Sequence, residues 1–191
     1  METIAAPDYA AAITGWRFWK IRKSPGTGSL WLRSVTRRSL WPPMERFEAY
    51  HTSYRESNQS VIEPEIHSRC GIYAYKSPAD ALRNLDRCCY RGTILGKVHL
   101  WGVIQRHEFG YRSQFAYPVS LDMGVCCMCK RVVHLGSEPF AIGWASYHFS
   151  ESFSVSGLLC EVCNEKYYSL ETEYSFGELA QLSRRYGITI G

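Results

Sequence analysis

The sequence predicts an α+β protein in which a bent antiparallel sheet or small barrel precedes a cysteine-rich lobe. The prediction rests on about six strand-like segments before residue 118, one helix among them, and two Cys-x2-Cys pairs after residue 120. Six strands leave exposed edges in an open sheet, and strong bending or closure into a barrel removes them. We therefore expect a β-rich core at 14–118, with one helix near 78–89, and a lobe at 119–191 that carries a C-terminal helix.

The first strands of the core are predicted from alternating apolar and basic residues. Residues 16–22 interleave aromatic or aliphatic side chains with arginine and lysine, a turn-forming run follows at 24–29, and Leu30 resumes an apolar segment. This order is typical of a β-hairpin. A third strand is predicted at 44–51, and the polar, irregular segment 52–68 is predicted to be a loop.

One helix is expected between the strands of the core. Ser77 suits the N-cap, Pro78 the first helical position and Asp80 the third. In the strand that follows, Gly96 and Gly102 predict bends or bulges, because glycine inside a strand commonly marks such irregularities. The remaining core strands are expected at 71–75, 93–107 and 111–117.

The cysteines carry the strongest chemical signal in the chain. Cys126 and Cys129 are two residues apart, and after a 30-residue interval Cys160 and Cys163 repeat that spacing. Two intervening residues let a tight turn direct both sulfurs at one ion, and four thiolates complete a tetrahedral shell with no position for water. Closed shells of this kind hold structural zinc, whose binding is coupled to folding.

Three alternatives stay open for the cysteines. One is that one pair is buried core and the other a chance repeat, or that the pairs are redox-active. Another is that Cys127 replaces Cys126 as the partner of Cys129, although its one-residue gap makes a poorer knuckle, so Cys126 is preferred. The third is a second ion held by some of His67, Cys70, Cys88 and Cys89.

The residues around the two pairs suggest the shape of the lobe. Short strands are predicted at 130–134 and 140–145, and a helix is predicted to start at Glu161. A knuckle, a hairpin and a second pair at a helix N-terminus describe a treble clef, whereas a zinc ribbon would place both knuckles on hairpins. Ser175 and Glu178 form a capping box for the C-terminal helix, whose buried face is predicted to contain Leu179, Leu182 and Tyr186.

Charge is distributed unevenly along the chain. Residues 1–125 carry 17 lysines and arginines against 11 acidic residues, whereas residues 126–191 carry five against seven. This mild basic surplus permits contact with phosphate without requiring it. Aromatic side chains could stack on the bases of a single-stranded nucleic acid, and the basic residues interleaved with them could neutralise its phosphates. A loop near residue 110 could add contacts. The candidate contacts with nucleic acid or a partner are Arg17, Trp19, Lys20, Arg22, Arg37, Arg38, His107, Tyr111 and Arg112.

Three segments resemble a group of uncharacterised bacterial and phage-borne proteins. They are GWRFW at 15–19, CGIYAY at 70–75 and GKVHLWGVIQRHEFGYRSQFAYP at 96–118. Such relatives often have Cys-x-Cys before the GIYA-like strand, where this chain has Ser68 at the earlier position. The resemblance covers most of 14–118 and implies no activity. The order of elements is also similar to that of PUA and ASCH barrels, which bears on the fold alone.

From these observations we expect a non-catalytic, zinc-containing binding module, with nucleic acid as the first target class. A protein-interaction adaptor, such as a phage or host accessory factor, is the alternative. A degenerate HNH-type nuclease is the second alternative, because 159–166 resembles the knuckle that ends those enzymes, with His134 and His148 between the pairs. No phosphate-binding loop, dinucleotide fingerprint or nucleophile elbow is present. We expect a cytoplasmic protein without a membrane span, a secretory signal or a small-molecule cofactor.

Overall fold

A computed structural model describes most of the chain. The described residues are 3–6, 12–24, 27–36, 39–49, 71–83, 85, 90–138, 140–146, 154–167 and 176–191. The strands are β1 (Thr3–Ala6), β2 (Ile13–Lys23), β3 (Leu30–Ser34), β4 (Phe47–Glu48), β5 (Ile72–Tyr75), β6 (Ile94–Arg106), β7 (Gly110–Pro118), β8 (Ser120–Leu121), β9 (Met123–Val125), β10 (Val132–His134), β11 (Phe140–Ser146), β12 (Ser154–Cys160) and β13 (Thr189–Ile190). The helices are α1 (Pro78–Leu82), α2 (Glu161–Tyr167) and α3 (Phe176–Tyr186).

Four antiparallel strands close into a small barrel. β2 pairs with β6 along seven residues and with β5 through Trp16 and Tyr75, β5 pairs with β7, and β7 returns to β6. Closure leaves these four strands without a free edge within the ring. The predicted α+β class, with a bent antiparallel sheet or barrel followed by a cysteine-containing lobe, is confirmed.

The longest strand bends where the sequence predicts an irregularity. The register between β6 and β7 shifts between Trp101 and Ile104, and Gly102 lies there with φ of 77°. An L-residue side chain is disfavoured at that φ, which is why glycine suits the bulge. The bulge lets the 13-residue strand β6 wrap around the barrel and serve both β2 and β7.

The first predicted hairpin and the predicted helix start are confirmed, whereas the helix and the third strand are shorter than predicted. β2 and β3 form the hairpin, and the Ser77 side chain accepts a hydrogen bond from the Asp80 N–H at 3.1 Å. The helix itself ends at Leu82, and residues 84 and 86–89 lie outside the described residues. Only two residues of the predicted strand 44–51 are extended in the described part, because Met44 adopts a left-handed φ of 60° in a turn.

The barrel sheet continues into the cysteine-containing part of the chain. β9 pairs with β6 on one side and with β10 on the other, while β11 and β12 form a separate hairpin that leads directly into α2. β13 pairs in parallel with β8, which brings the end of the chain back to the barrel.

The larger of two core clusters among the described residues spans both parts of the chain. It joins Trp19 and Leu100 of the barrel to Val133 and Leu158 of the lobe, and the predicted helix face of Leu179, Leu182 and Tyr186 is buried in it. The predicted boundary at 118 and 119 therefore falls within a shared core. The described helices include none that is long and apolar enough to cross a membrane.

Candidate metal centre

Four cysteine sulfurs meet where β9, β12 and α2 come together. The Sγ atoms of Cys126, Cys129, Cys160 and Cys163 all lie within 4.8 Å of one another, and those of Cys129 and Cys160 are 3.6 Å apart. A regular tetrahedron with metal–sulfur bonds of about 2.3 Å has edges of about 3.8 Å. A disulfide requires about 2.05 Å between sulfurs, and all four cysteines are free. The group could therefore hold one metal ion.

The first pair is positioned by a tight turn after β9. The Cys126 N–H donates to the Arg131 carbonyl at 2.9 Å, and the Lys130 N–H donates to the Cys126 carbonyl at 3.1 Å. The Arg131 N–H points at the Cys129 sulfur at 3.5 Å. Lys130 adopts a left-handed φ of 64°, which turns the chain sharply after the second cysteine. These bonds direct both sulfurs of the pair to the same side.

The second pair lies at the junction of a strand and a helix. Cys160 is the last residue of β12, and Cys163 lies in the first turn of α2, so the two sulfurs face the first pair from one end of the β11–β12 hairpin. The Cys127 N–H donates to the Leu158 carbonyl at 2.8 Å, which fixes the hairpin against the first turn. The Cys127 side chain packs against the core cluster and is not a member of the sulfur group.

The protein environment favours ionisation of one thiol and opposes it at two others. Burial acts to raise the pKa of Cys126, but backbone N–H groups of Cys129, Cys160 and Met128 outweigh it and lower that pKa to about 7. Burial raises the pKa of Cys160 and of Cys163, and the neighbouring thiols raise that of Cys163 further. Four clustered thiols cannot all become thiolates without a cation to offset their mutual repulsion. The donor set thus fits a metal ion that prefers sulfur ligands.

The predicted contact residues are distributed over three places. Trp19 is fully buried and packs edge-on against Trp41 at 5.6 Å between ring centroids. The prediction that Trp19 contacts a ligand is corrected, since the run of alternating residues places its ring in the core. Arg17 lines a cavity on that same side of β2. Arg37, Arg38, His67, Cys70, Cys88, Cys89 and His148 lie outside the described residues.

Lys20 and Arg22 lie on the opposite side of β2, away from the core. The hairpin register puts Lys20 opposite Arg33 and Arg22 opposite Trp31, so all four side chains project from one outer face. The guanidinium of Arg185, in the last turn of α3, lies 4.3 Å from the centroid of the Trp31 ring. We call Lys20, Arg22, Trp31, Arg33 and Arg185 the hairpin face. The sequence alternation could have identified Trp31 and Arg33 as members of this face once the register was known. Arg185 lies on this face only because α3 packs beside β3.

The other predicted residues surround the turn between β6 and β7. The His107 N–H donates to the Gly110 carbonyl at 2.8 Å and closes the turn. Burial, Arg112 and Lys76 lower the pKa of His107, in that order, so this turn lies in a basic environment. Tyr111 packs against the core cluster. The turn holds cations near one another but no described acid–base pair with His107.

Comparison with known proteins adds no further constraint on the site. The chain matches no protein-family model, no curated protein and no solved structure.

Proposed function

We propose that the chain is a non-catalytic binding module whose C-terminal part is stabilised by a structural zinc ion. The observation that carries this proposal is the group of four sulfurs within 4.8 Å. Soft thiolate ligands select zinc over magnesium or calcium, and a shell of four protein ligands leaves no position for a water or a substrate. The knuckle, the hairpin and the second pair at the start of α2 support a treble-clef arrangement.

Zinc in such a shell contributes to folding. Its binding would join the turn at Cys126 and Cys129 to the strand–helix junction at Cys160 and Cys163, which are otherwise linked through backbone bonds such as that from Cys127 to Leu158. Metal binding energy in small sites of this kind is coupled to the folding free energy. We therefore expect zinc removal to loosen the β11–β12 hairpin from the barrel.

For the binding target, nucleic acid is the class we propose, through the hairpin face. Four of its five side chains are cationic, and the fifth, Trp31, is partly exposed beneath the Arg185 guanidinium. Proteins that hold single strands combine cations that contact phosphates with aromatic rings that stack on bases. The hairpin face supplies both kinds of group on one surface.

The experiment that tests this target is a salt titration of binding to single-stranded and double-stranded oligonucleotides. We expect affinity to fall as salt rises, because cations on the protein displace counterions from phosphates. The double variant Lys20→Gln, Arg22→Gln should weaken binding and reduce the salt slope by about 2. The control Arg131→Gln removes a cation that already pairs with Glu138 at 3.1 Å, and it should change binding little. Absence of binding at low salt would contradict the proposal.

A protein-interaction adaptor is the second candidate, and the two knuckles favour it. Met128 lies between the first two cysteines with 43 % of its surface exposed, and Val162 lies between the second two with 58 % exposed. Exposed apolar side chains attract protein partners more readily than phosphates. Failure of nucleic-acid binding, together with loss of a captured protein in a Met128→Ser, Val162→Ser variant, would favour the adaptor.

Metal-dependent cleavage lost in His134→Ala would instead support the nuclease.

A further inference from the structure

A cavity of about 140 Å³ lies beside Arg17, on the side of β2 that faces the core. Side chains alternate along a strand, so Arg17 shares this side with Trp19 and is opposite to Lys20. The walls combine a guanidinium, hydroxyl-bearing residues and apolar surface. They include Arg17, Ser34, Thr36, Ser39, Phe47 and Ile72.

Among the described residues, all partners of the Arg17 guanidinium are uncharged groups. It donates to the Tyr73 carbonyl and to the Ser34 hydroxyl at 3.4 Å, and it lies 5.2 Å from the Trp41 ring centroid. Its Nε is shielded from solvent and has no hydrogen-bond acceptor in the part of the chain that the structure describes. Burial lowers the pKa of Arg17 to about 10, which leaves the side chain charged at neutral pH. A sheltered positive charge of this kind is costly unless an anion neutralises it.

The Ser34 hydroxyl oxygen lies where three donors converge. It is within hydrogen-bond distance of the Trp41 Nε1–H at 2.9 Å, the Ser39 hydroxyl at 3.1 Å and the Arg17 guanidinium at 3.4 Å. A hydroxyl oxygen has two lone pairs and cannot accept all three bonds well, so the long bond from Arg17 leaves that N–H available to a ligand. The cavity therefore presents an incompletely satisfied cation beside hydroxyl groups, a combination that recognises oxygen anions.

We propose that this cavity binds a small oxyanion, the phosphate or carboxylate group of a small molecule, with Arg17 as its principal partner. The planar guanidinium matches the paired oxygens of both groups. A cavity of about 150 Å³ accommodates a molecule the size of benzene, so one of 140 Å³ admits the anionic group but not a whole nucleotide. Because Arg17 and the hairpin face lie on opposite sides of β2, this site is independent of nucleic-acid binding.

Calorimetric titration of the 191-residue chain tests the site, with inorganic phosphate in one arm and acetate in the other. Sodium chloride keeps the ionic strength equal in all titrations, so that a general salt effect is removed. We expect saturable binding of at least one anion. Arg17→Gln should weaken it by about tenfold or more, because a hydrogen bond to a charged group contributes about 1.5–3 kcal/mol. Arg83→Gln removes the same charge from an exposed position outside the hairpin face and should leave anion affinity within about twofold.

A second measurement protects the test against misfolding of the Arg17 variant. In wild-type protein, the NMR signal of the Arg17 Nε–H should shift on addition of the bound anion, with saturation at the calorimetric affinity. Thr36→Val replaces a hydroxyl at the exposed rim of the cavity by a group of similar shape and should weaken binding less than Arg17→Gln does. Absence of saturable binding by the wild type in both arms would overturn the proposal, as would equal losses in Arg17→Gln and Arg83→Gln. Neither result would bear on the oligonucleotide titration.

Discussion

Tyr186 joins the C-terminal helix to the first barrel hairpin through a hydroxyl group that makes two buried hydrogen bonds. It accepts from the Leu32 N–H at 3.0 Å and donates to the Trp41 carbonyl at 2.7 Å, and the side chain has no exposed surface. Tyr186→Phe would leave a buried donor and a buried acceptor without this partner. Each costs about 1–3 kcal/mol, so we expect a loss of about 2–6 kcal/mol from a typical total of about 5–15 kcal/mol.

Urea denaturation of wild type and variant measures this loss directly. The matched control is Tyr117→Phe, whose hydroxyl donates to the Tyr186 carbonyl at 2.6 Å and accepts from the Met44 N–H at 2.8 Å. Met44 is exposed, so water can replace that partner, and we expect the control to lose about 0.5–1.5 kcal/mol. An equal or smaller loss in Tyr186→Phe than in Tyr117→Phe would refute the reasoning, because it would mean that the Tyr186 hydroxyl is not buried between the helix and the hairpin.

Three further perturbations follow from the same structure. Gly96→Ala would place a Cβ 1.9 Å from a main-chain oxygen of β8, so we expect the free energy of unfolding, measured by urea denaturation, to fall by about 3 kcal/mol or more. In the control Gly177→Ala the new Cβ meets nothing within 4 Å, and we expect no loss of stability. Burial raises the pKa of Tyr186 to about 12, so the folded state holds that proton more tightly than the unfolded state does. The free energy of unfolding of the wild type should therefore fall as the pH rises from 10 to 12, and it should fall less in Tyr186→Phe. Cys129→Ser should release the metal, as measured with a colorimetric chelator, whereas Cys127→Ala, which lies outside the sulfur group, should retain it. Metal loss from Cys127→Ala and retention by Cys129→Ser would contradict the ligand assignment.

Local sequence signals predict the features that short segments determine by themselves. The N-cap at Ser77, the bulge at Gly102 and the hairpin of β2 and β3 each depend on residues within a few positions of one another. The Cys-x2-Cys spacing likewise indicates a shared site, because two intervening residues suffice to bring two sulfurs together. These predictions need no knowledge of which strands pair.

Long-range features could not be predicted in the same way. The side of β2 that faces the core depends on closure of the barrel, and alternation alone does not show that Trp19 is buried while Lys20 projects outward. The stacking of Arg185 on Trp31 joins residues far apart in the sequence through the packing of α3. The return of β13 to β8 rests on two residue pairs, too few to leave a sequence signal.

Metal analysis of the purified 191-residue chain, combined with X-ray absorption at the zinc edge, tests the central claim most directly. We predict one zinc per chain with four sulfur neighbours at about 2.3 Å. Protein that is folded without stoichiometric zinc, or zinc whose neighbours include nitrogen or oxygen, would contradict a closed shell formed by Cys126, Cys129, Cys160 and Cys163.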